Sequence, residues 1–328
     1  MTATALHDRL TVIDGLIVSN WSRALFEAMR EGGLSAANCT CSVWEGFEPS
    51  MRAIGQWKQW FREHDDIITQ IYTVDDIARA KADGKVGVIL GWQNSDGFGE
   101  DIRMVSVFRE LGLRVVQLTY HTANAVGAGC LERIDRGLTD FGHELVDALN
   151  TEGILIDLSH VGTQTTLDAV QASKRPITFS HCAPKTLKDH LRNKTDEELL
   201  LVARKGGVIG VTMFPPFMSK GNESTLDDYL DVIDYVTNLC GEEHVAIGTD
   251  FTQDIPPERM RYFISYEGHG RRLLEPKGAI FPKDFSRIEQ YPNLTARMEN
   301  RGWPERRIVR LLGENWVRLF RDVWQRHA

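Results

Sequence analysis

Three polar side chains stand at the ends of apolar, strand-like stretches of this sequence. His160 ends GILIDLSH, His181 ends PITFSH and Asp250 ends HVAIGTD. Imidazole nitrogens bind borderline metals such as zinc, and a neighbouring carboxylate completes such a site or transfers protons. The two histidines and the aspartate therefore predict a metal-binding or catalytic site. The alternative interpretation is a polar cleft that uses no metal.

Two other stretches of the same kind also end in polar residues. Gln93 directly follows KVGVILGW, and Tyr120 ends LRVVQLTY, with His121 next to it. If these stretches are neighbouring parallel strands, their polar ends lie on the same side of the fold. Gln93 and Tyr120 are therefore candidates for residues that touch a ligand.

A basic segment, CAPKTLKDHLRNKTDEE, follows His181. It contains Lys185, Lys188, Arg192 and Lys194, and a guanidinium group such as that of Arg192 can bind a carboxylate through two hydrogen bonds. Taken alone, the composition of this segment favours a solvated loop of mixed charge.

Strand-like and helix-like segments alternate along almost the whole chain. Apolar stretches predict strands at 12–18, 36–44, 67–72, 85–92, 113–120, 153–160, 176–181, 206–214 and 244–251. Their nearly continuous apolar character is typical of parallel strands covered on both faces. We therefore predict an α/β fold, a (β/α)8 TIM-type barrel with extra helices, in one domain over residues 1–328. A doubly wound sheet is the alternative, but no G-x-G-x-x-G follows the first strand.

Composition excludes several classes of function. The 328 residues carry a net charge of −8, which disfavours nucleic acid as a partner. No apolar run approaches the roughly 20 residues that span a bilayer, and the N-terminus lacks a secretory signal pattern, so we expect a cytoplasmic protein without membrane contact. The cysteines predict free thiols rather than disulfides, although Cys39 and Cys41 could form a metal clip.

The ordered motifs DLSHVG, PITFSH, LRN and AIGTDF, with RIVRLLGENWVRLF near the end, resemble the membrane (renal) dipeptidase family of the amidohydrolase superfamily. The resemblance runs from about Val12 to Trp324. It implies a distorted (β/α)8 barrel with a two-zinc site that hydrolyses dipeptides and related amides. By motif, His160 and His181 match the histidine ligands of one metal, and Asp250 matches a ligand that also shuttles protons. Arg192, with Asn193, matches the contact to the substrate carboxylate.

The same resemblance exposes departures on the first half of the barrel. The family's first strand carries D-G-H-x-D, whose His and Asp bind the other metal, whereas this chain has Leu16 and Val18 there. Gln93 stands where relatives carry the bridging carboxylate, and Tyr120 stands where they carry a histidine. An apolar side chain offers no lone pair, and an amide is a weaker donor than a carboxylate. We therefore expect one zinc ion at most, held by His160, His181 and Asp250, with Gln93 and Tyr120 assigned to substrate binding.

Three functions fit this pattern. The first is a hydrolase with one metal ion or none that acts on a small carboxylate-bearing amide or dipeptide. The second is a barrel that binds an amino-acid-like ligand without hydrolysis, or a subunit of a larger assembly. The third is a metal-free enzyme in which Asp250 and a histidine perform acid–base chemistry. By analogy with its relatives we expect a homodimer.

Overall fold

The computed structural model describes residues 5–264 and 279–325. The strands are β1 Ile13–Ile17, β2 Ala36–Ser42, β3 Ile68–Gln70, β4 Val86–Trp92, β5 Leu113–Gln117, β6 Leu155–Asp157, β7 Thr178–Cys182, β8 Val208–Val211 and β9 Val245–Ile247. The α-helices are α1 Ala5–Arg9, α2 Arg23–Glu31, α3 Phe47–Glu63, α4 Val74–Ala82, α5 Met104–Leu111, α6 Asp140–Glu152, α7 Thr163–Ala172, α8 Asp196–Arg204, α9 Leu226–Cys240, α10 Pro257–Ile264, α11 Tyr291–Asn300, α12 Glu305–Val309 and α13 Asn315–Val323.

All the strands run parallel in one sheet, in the order β1-β2-β4-β5-β6-β7-β8-β9, and β3 pairs with the start of β4. The chain after β9 returns to β1, where Phe251 pairs with Ile17 and the Asp250 N–H donates to the Leu16 carbonyl over 3.1 Å. The sheet is thereby a nearly closed barrel with helices between its strands. This confirms the predicted (β/α)8 TIM-type fold and each of the predicted strand locations.

Seven of the nine predicted strands are longer than the observed ones at their carboxyl ends. β6 ends at Asp157 and β9 at Ile247, each three residues before the polar residue that was assigned to its last position. His160 and Asp250 therefore lie in turns above the barrel, whereas His181 lies within β7. Because His160 and Asp250 lie beyond the strand ends, their side chains are not bound to the alternating directions of strand residues, and both line the mouth of the barrel.

The barrel is compressed where β7 approaches β1, β8 and β9. A Cβ atom added to Gly248 would lie 1.9 Å from the carbonyl oxygen of Ser180, and one added to Gly210 would lie 2.0 Å from it. Only residues without a side chain permit this close approach. The compression brings the end of β7, which carries His181, next to β1 and to the residues after β9.

The C-terminal helix α13 covers the amino-terminal end of the barrel. Trp316, Leu319, Phe320 and Val323 form one helical face that packs on Ile13 and on other apolar residues near the strand starts. The Trp316 indole N–H donates to the Ile247 carbonyl over 3.0 Å. With this end filled, the carboxyl ends of the strands are left as the place for a site.

Within the described ranges, no helix has the length and apolar character that crossing a membrane requires.

Candidate active site at the barrel mouth

A cavity, called here the mouth cavity, lies at the carboxyl ends of the strands. Its volume is about 30 Å³, close to the space of one water molecule. Its polar lining comes from residues that follow four different strands, and its wall on the β8 side is aromatic. These residues include Gln93, Tyr120, His121, His160, Asp250 and Phe217.

His160 and His181 meet at the base of the mouth. Their Nε2 atoms are 2.9 Å apart, and the two side chains are almost completely buried. The structure thus brings together the two histidines that the sequence analysis paired. Two nitrogens bound to one tetrahedral zinc lie about 3.3 Å apart, so this pair converges on nearly the spacing of two ligands.

A chain of hydrogen bonds fixes the orientation of the His181 ring. Ser180 Oγ donates to Asp157 Oδ2 over 2.6 Å and lies 2.7 Å from His181 Nδ1. Because the serine proton goes to the carboxylate, Nδ1 of His181 carries the hydrogen and donates to Ser180. Nε2 of His181 is therefore the nitrogen with a lone pair, and it points toward His160.

His160 is held by stacking rather than by a second hydrogen bond. Its ring lies 4.2 Å from that of Tyr120, at an interplanar angle of 22°, and its Nδ1 has no hydrogen-bond partner among the described residues. Burial lowers the pKa of His160 and of His181 well below the usual histidine value, and the Arg192 charge adds to this. Both rings are neutral at pH 7, the state in which imidazole serves as a ligand or a base.

Asp250 reaches the cavity through an unusual backbone conformation. Its φ angle is 60°, in the left-handed region that few residues other than glycine adopt. Burial raises the pKa of Asp250 to about 7, the Arg192 charge opposes this shift, and the charges of Asp14 and Asp157 reinforce it. A carboxyl group in this range can both accept and release a proton near neutral pH.

Asp14 anchors the strand end that carries Asp250. Its Oδ1 accepts from the Thr249 backbone N–H over 2.9 Å, and its Oδ2 accepts from the Thr249 and Tyr291 hydroxyls over 2.5 and 2.7 Å. Oδ1 also accepts from the Leu16 N–H over 3.1 Å. The single ionisable residue of β1 is thus a structural carboxylate that links β1, the turn after β9 and α11.

Arg192 is fully buried with an incomplete set of partners. Its Nη2 donates to the His181 carbonyl over 2.7 Å, and its guanidinium carbon lies 5.4 Å from the centre of the Phe217 ring. Nε and Nη1 are buried without a hydrogen-bond partner among the described residues. Unpaired buried guanidinium nitrogens are costly, and a carboxylate that accepts from one of them would recover part of that cost.

The remaining predicted residues divide between the cavity and its surroundings. Gln93 and Tyr120 line the mouth cavity, and the Gln93 amide nitrogen donates to Thr40 Oγ1 over 3.0 Å. Asn193 instead donates to the Lys188 and Phe217 carbonyls, each over 3.0 Å, which fixes the loop carrying Arg192.

The donor set does not fit a two-metal centre. Leu16 is 2% exposed and contributes no donor atom, and Val18 presents an apolar side chain to the cavity. No group of three or more His, Cys, Asp or Glu side chains within residues 5–264 and 279–325 is arranged to hold a metal ion. The converging Nε2 atoms of His160 and His181 are a pair of donor atoms that could bind one metal ion.

Sequence reasoning missed the supporting residues Asp157 and Ser180. Both belong to motifs that drew attention for their histidines, DLSH and ITFSH. The available signal was an acidic residue inside an otherwise apolar strand, since a buried carboxylate requires several hydrogen-bond donors.

The chain is similar to dipeptidases and to an amidohydrolase of known structure. A family model described as membrane dipeptidase, peptidase family M19, matches residues 21–267. An amidohydrolase from Pseudomonas aeruginosa is 46% identical, with a TM-score of 0.94 over 97% of this chain and 98% of its own. The probable dipeptidase PvdM from the same organism is 20% identical, with a TM-score of 0.82 over 98% and 97% of the two chains, a likeness of fold.

A curated relative, an uncharacterized dipeptidase from Schizosaccharomyces pombe, is 29% identical over 256 residues. The match covers 76% of this chain and 56% of the relative. The chain thus spans little more than half the length of that protein.

Proposed function

The chain belongs to the membrane dipeptidase family, peptidase family M19, and we propose that it hydrolyses a small carboxylate-bearing amide or dipeptide with a reduced metal site that holds at most one ion. Members of this family are metallopeptidases. The observation that carries the proposal is the buried Arg192 guanidinium, with two unpaired nitrogens, in the loop that follows the His160–His181 pair. A substrate carboxylate would accept a charge-assisted hydrogen bond from one of these nitrogens.

Each residue has a defined part in this proposal. Arg192 binds the substrate carboxylate, and Tyr120 and Gln93 line the space around the amide. Asp250 takes a proton from the attacking water and returns it to the leaving amine, which its pKa of about 7 permits at neutral pH. A single ion bound to His160 and His181 would supply a water of lowered pKa.

Metal analysis and a dipeptide panel test the proposal together. We expect elemental analysis of the protein, purified without added metal and then titrated with zinc, to give no more than one ion per chain. We expect turnover of at least one dipeptide, and amidation of its C-terminal carboxylate should lower kcat/KM by about 100-fold, the value of a lost charge-assisted pair. Two bound ions, or turnover that amidation leaves unchanged, would contradict the proposal.

A metal-free acid–base enzyme is the second candidate, favoured by the direct contact between His160 and His181 Nε2 atoms at 2.9 Å. Chelation separates the two: full activity after exhaustive chelation supports the metal-free enzyme, and a strict zinc requirement excludes it.

A further inference from the structure

A second cavity lies beside the mouth cavity and is much larger. We call it the tryptophan cavity; its volume is about 470 Å³, against about 30 Å³ for the mouth cavity. Val18 lines both, so the two spaces meet at the end of β1. The reactive groups therefore sit in a space that holds about one water molecule, whereas the room that a ligand needs lies next to it.

Tryptophan side chains form one wall of this second space. Trp57 is buried and packs between Trp21 and Trp60, with ring centroids 5.0 and 5.1 Å away. Trp21 and Trp60 are half-buried, so part of each ring faces the cavity. The Trp21 indole N–H donates to the Thr40 carbonyl over 3.0 Å, which fixes that ring. Such a wall suits an aromatic or large apolar side chain.

Glu45 brings an anionic group into the same cavity. Its Oε2 accepts from the Val43 and Trp44 backbone N–H groups over 2.5 and 3.1 Å and from Ser42 Oγ over 3.1 Å. Oε1 has no hydrogen-bond partner, and Glu45 forms no ion pair, among the described residues. A carboxylate fixed through one oxygen is preorganised to accept a cationic group through the other.

Neither arginine on the cavity wall forms an ion pair with Glu45. Arg52 pairs with Glu48 over 2.6 Å at the surface, and the guanidinium carbon of Arg259 lies 5.7 Å from the centre of the Phe263 ring. The cavity thus combines aromatic surface with a fixed carboxylate, the pair of features that recognises an ammonium-bearing apolar group.

We propose that the tryptophan cavity binds the amino-terminal residue of a peptide substrate, with its α-ammonium at Glu45 and an aromatic side chain against Trp21 and Trp60. This inference rests on the proposed function, because it takes Arg192 as the anchor for the carboxylate at the other end. The scissile amide then lies at the junction beside Val18, where the tryptophan cavity meets the mouth cavity that Asp250 and His160 line. The chain therefore selects dipeptides with a large aromatic first residue.

The test compares three peptides, Phe-Ala, Gly-Ala and N-acetyl-Phe-Ala, on the full-length protein. We expect kcat/KM for Phe-Ala to exceed that for Gly-Ala by about 10- to 100-fold, the effect of burying one phenyl group. Trp60→Ala should lower this ratio by about tenfold with little change for Gly-Ala. Glu45→Gln should lower kcat/KM for Phe-Ala by about five- to tenfold and leave N-acetyl-Phe-Ala unchanged, since acetylation removes the charge.

Trp303→Ala is the matched control, because Trp303 is half-buried but lies outside both cavities. Calorimetric titration with the same peptides gives the affinity ratio independently of turnover, and melting temperatures report folding. Hydrolysis without preference for Phe-Ala, or equal losses for Phe-Ala and Gly-Ala in Trp60→Ala, overturns this inference and leaves the proposed function standing. Preferential binding of Phe-Ala without hydrolysis of any peptide overturns the proposed function alone. Absence of both binding and turnover overturns the inference.

Discussion

The two halves of the barrel mouth differ in chemistry above the same kind of support. On the β6–β7 half, His160 and His181 converge above Asp157, which accepts four hydrogen bonds from Ser159 and Ser180. On the β9–β1 half, Asp14 also accepts four hydrogen bonds, from Leu16, Thr249 and Tyr291. There Leu16 in β1 and Val18 just after it are apolar, and Val18 lines the mouth cavity.

The supporting hydrogen-bond networks of the two halves are therefore alike, whereas the side chains above them differ in the donor atoms that they offer. The resemblance implies donor side chains at the positions of Leu16 and Val18, which are apolar here, whereas the hydrogen-bond network of Asp14 is present. Substituting a buried carboxylate leaves its hydrogen-bond donors unpaired and therefore costs stability. A side chain at the mouth can be substituted without that cost. The β1 half thus keeps its structural carboxylate, while Leu16 and Val18 offer no donor atom to a metal.

The largest expected effect comes from Asp250→Asn. Asparagine tolerates positive φ and keeps the shape of the side chain, so the fold should persist while proton transfer is lost. We expect turnover to fall by about 10²- to 10⁴-fold, measured as kcat on the best dipeptide. Asp254→Asn is the control, since Asp254 has the same φ of 60° and an exposed side chain. Equal losses of turnover in both variants would show that the strained backbone, and not the carboxyl group of Asp250, causes the loss.

Asp14→Asn and Asp157→Asn test whether the two supports are equivalent. Each replaces an acceptor oxygen by an NH2 group that faces a donor, so each should lower the free energy of unfolding by about 2–4 kcal/mol. Denaturant titration measures both values on one scale. If only Asp157→Asn lowers the free energy of unfolding, the two carboxylates are not equivalent supports, because Asp14 would then contribute little to stability.

The fold was predictable from the sequence because the nine apolar stretches coincide with strands, most of which are buried on both faces. The pairing of His160 with His181 was also predictable, since they follow consecutive strands. Local patterns could not reveal contacts such as that of Asp14 with Tyr291, which are separated by 277 residues. They also gave no sign that α13 fills the barrel base or that Arg192 lies buried in a segment whose composition favours a solvated loop.

Leu16→His combined with Val18→Asp would restore donors on the β1 half. Without metal, a polar group at the buried Leu16 position should lower the free energy of unfolding by about 1–3 kcal/mol. With zinc we expect one additional ion per chain by elemental analysis and recovery of the lost stability. The matched variant Leu16→Gln/Val18→Asn should lose similar stability and gain no ion. Recovery by zinc in that variant as well would mean that the ion binds elsewhere.

The smallest expected effect, Ser180→Ala, concerns the support of a single ring. Ser180 Oγ joins His181 Nδ1 to Asp157, whereas Ser159 Oγ donates to the same carboxylate over 2.6 Å and accepts from the His181 backbone N–H. Both alanine variants should lose about 1–2 kcal/mol of stability. Only Ser180→Ala leaves the ring nitrogen without its partner, so only this variant should shift the ¹⁵N resonances of the His181 imidazole toward the other tautomer. If Ser159→Ala shifts them equally, the His181 ring is oriented by packing and not by its hydrogen bond to Ser180.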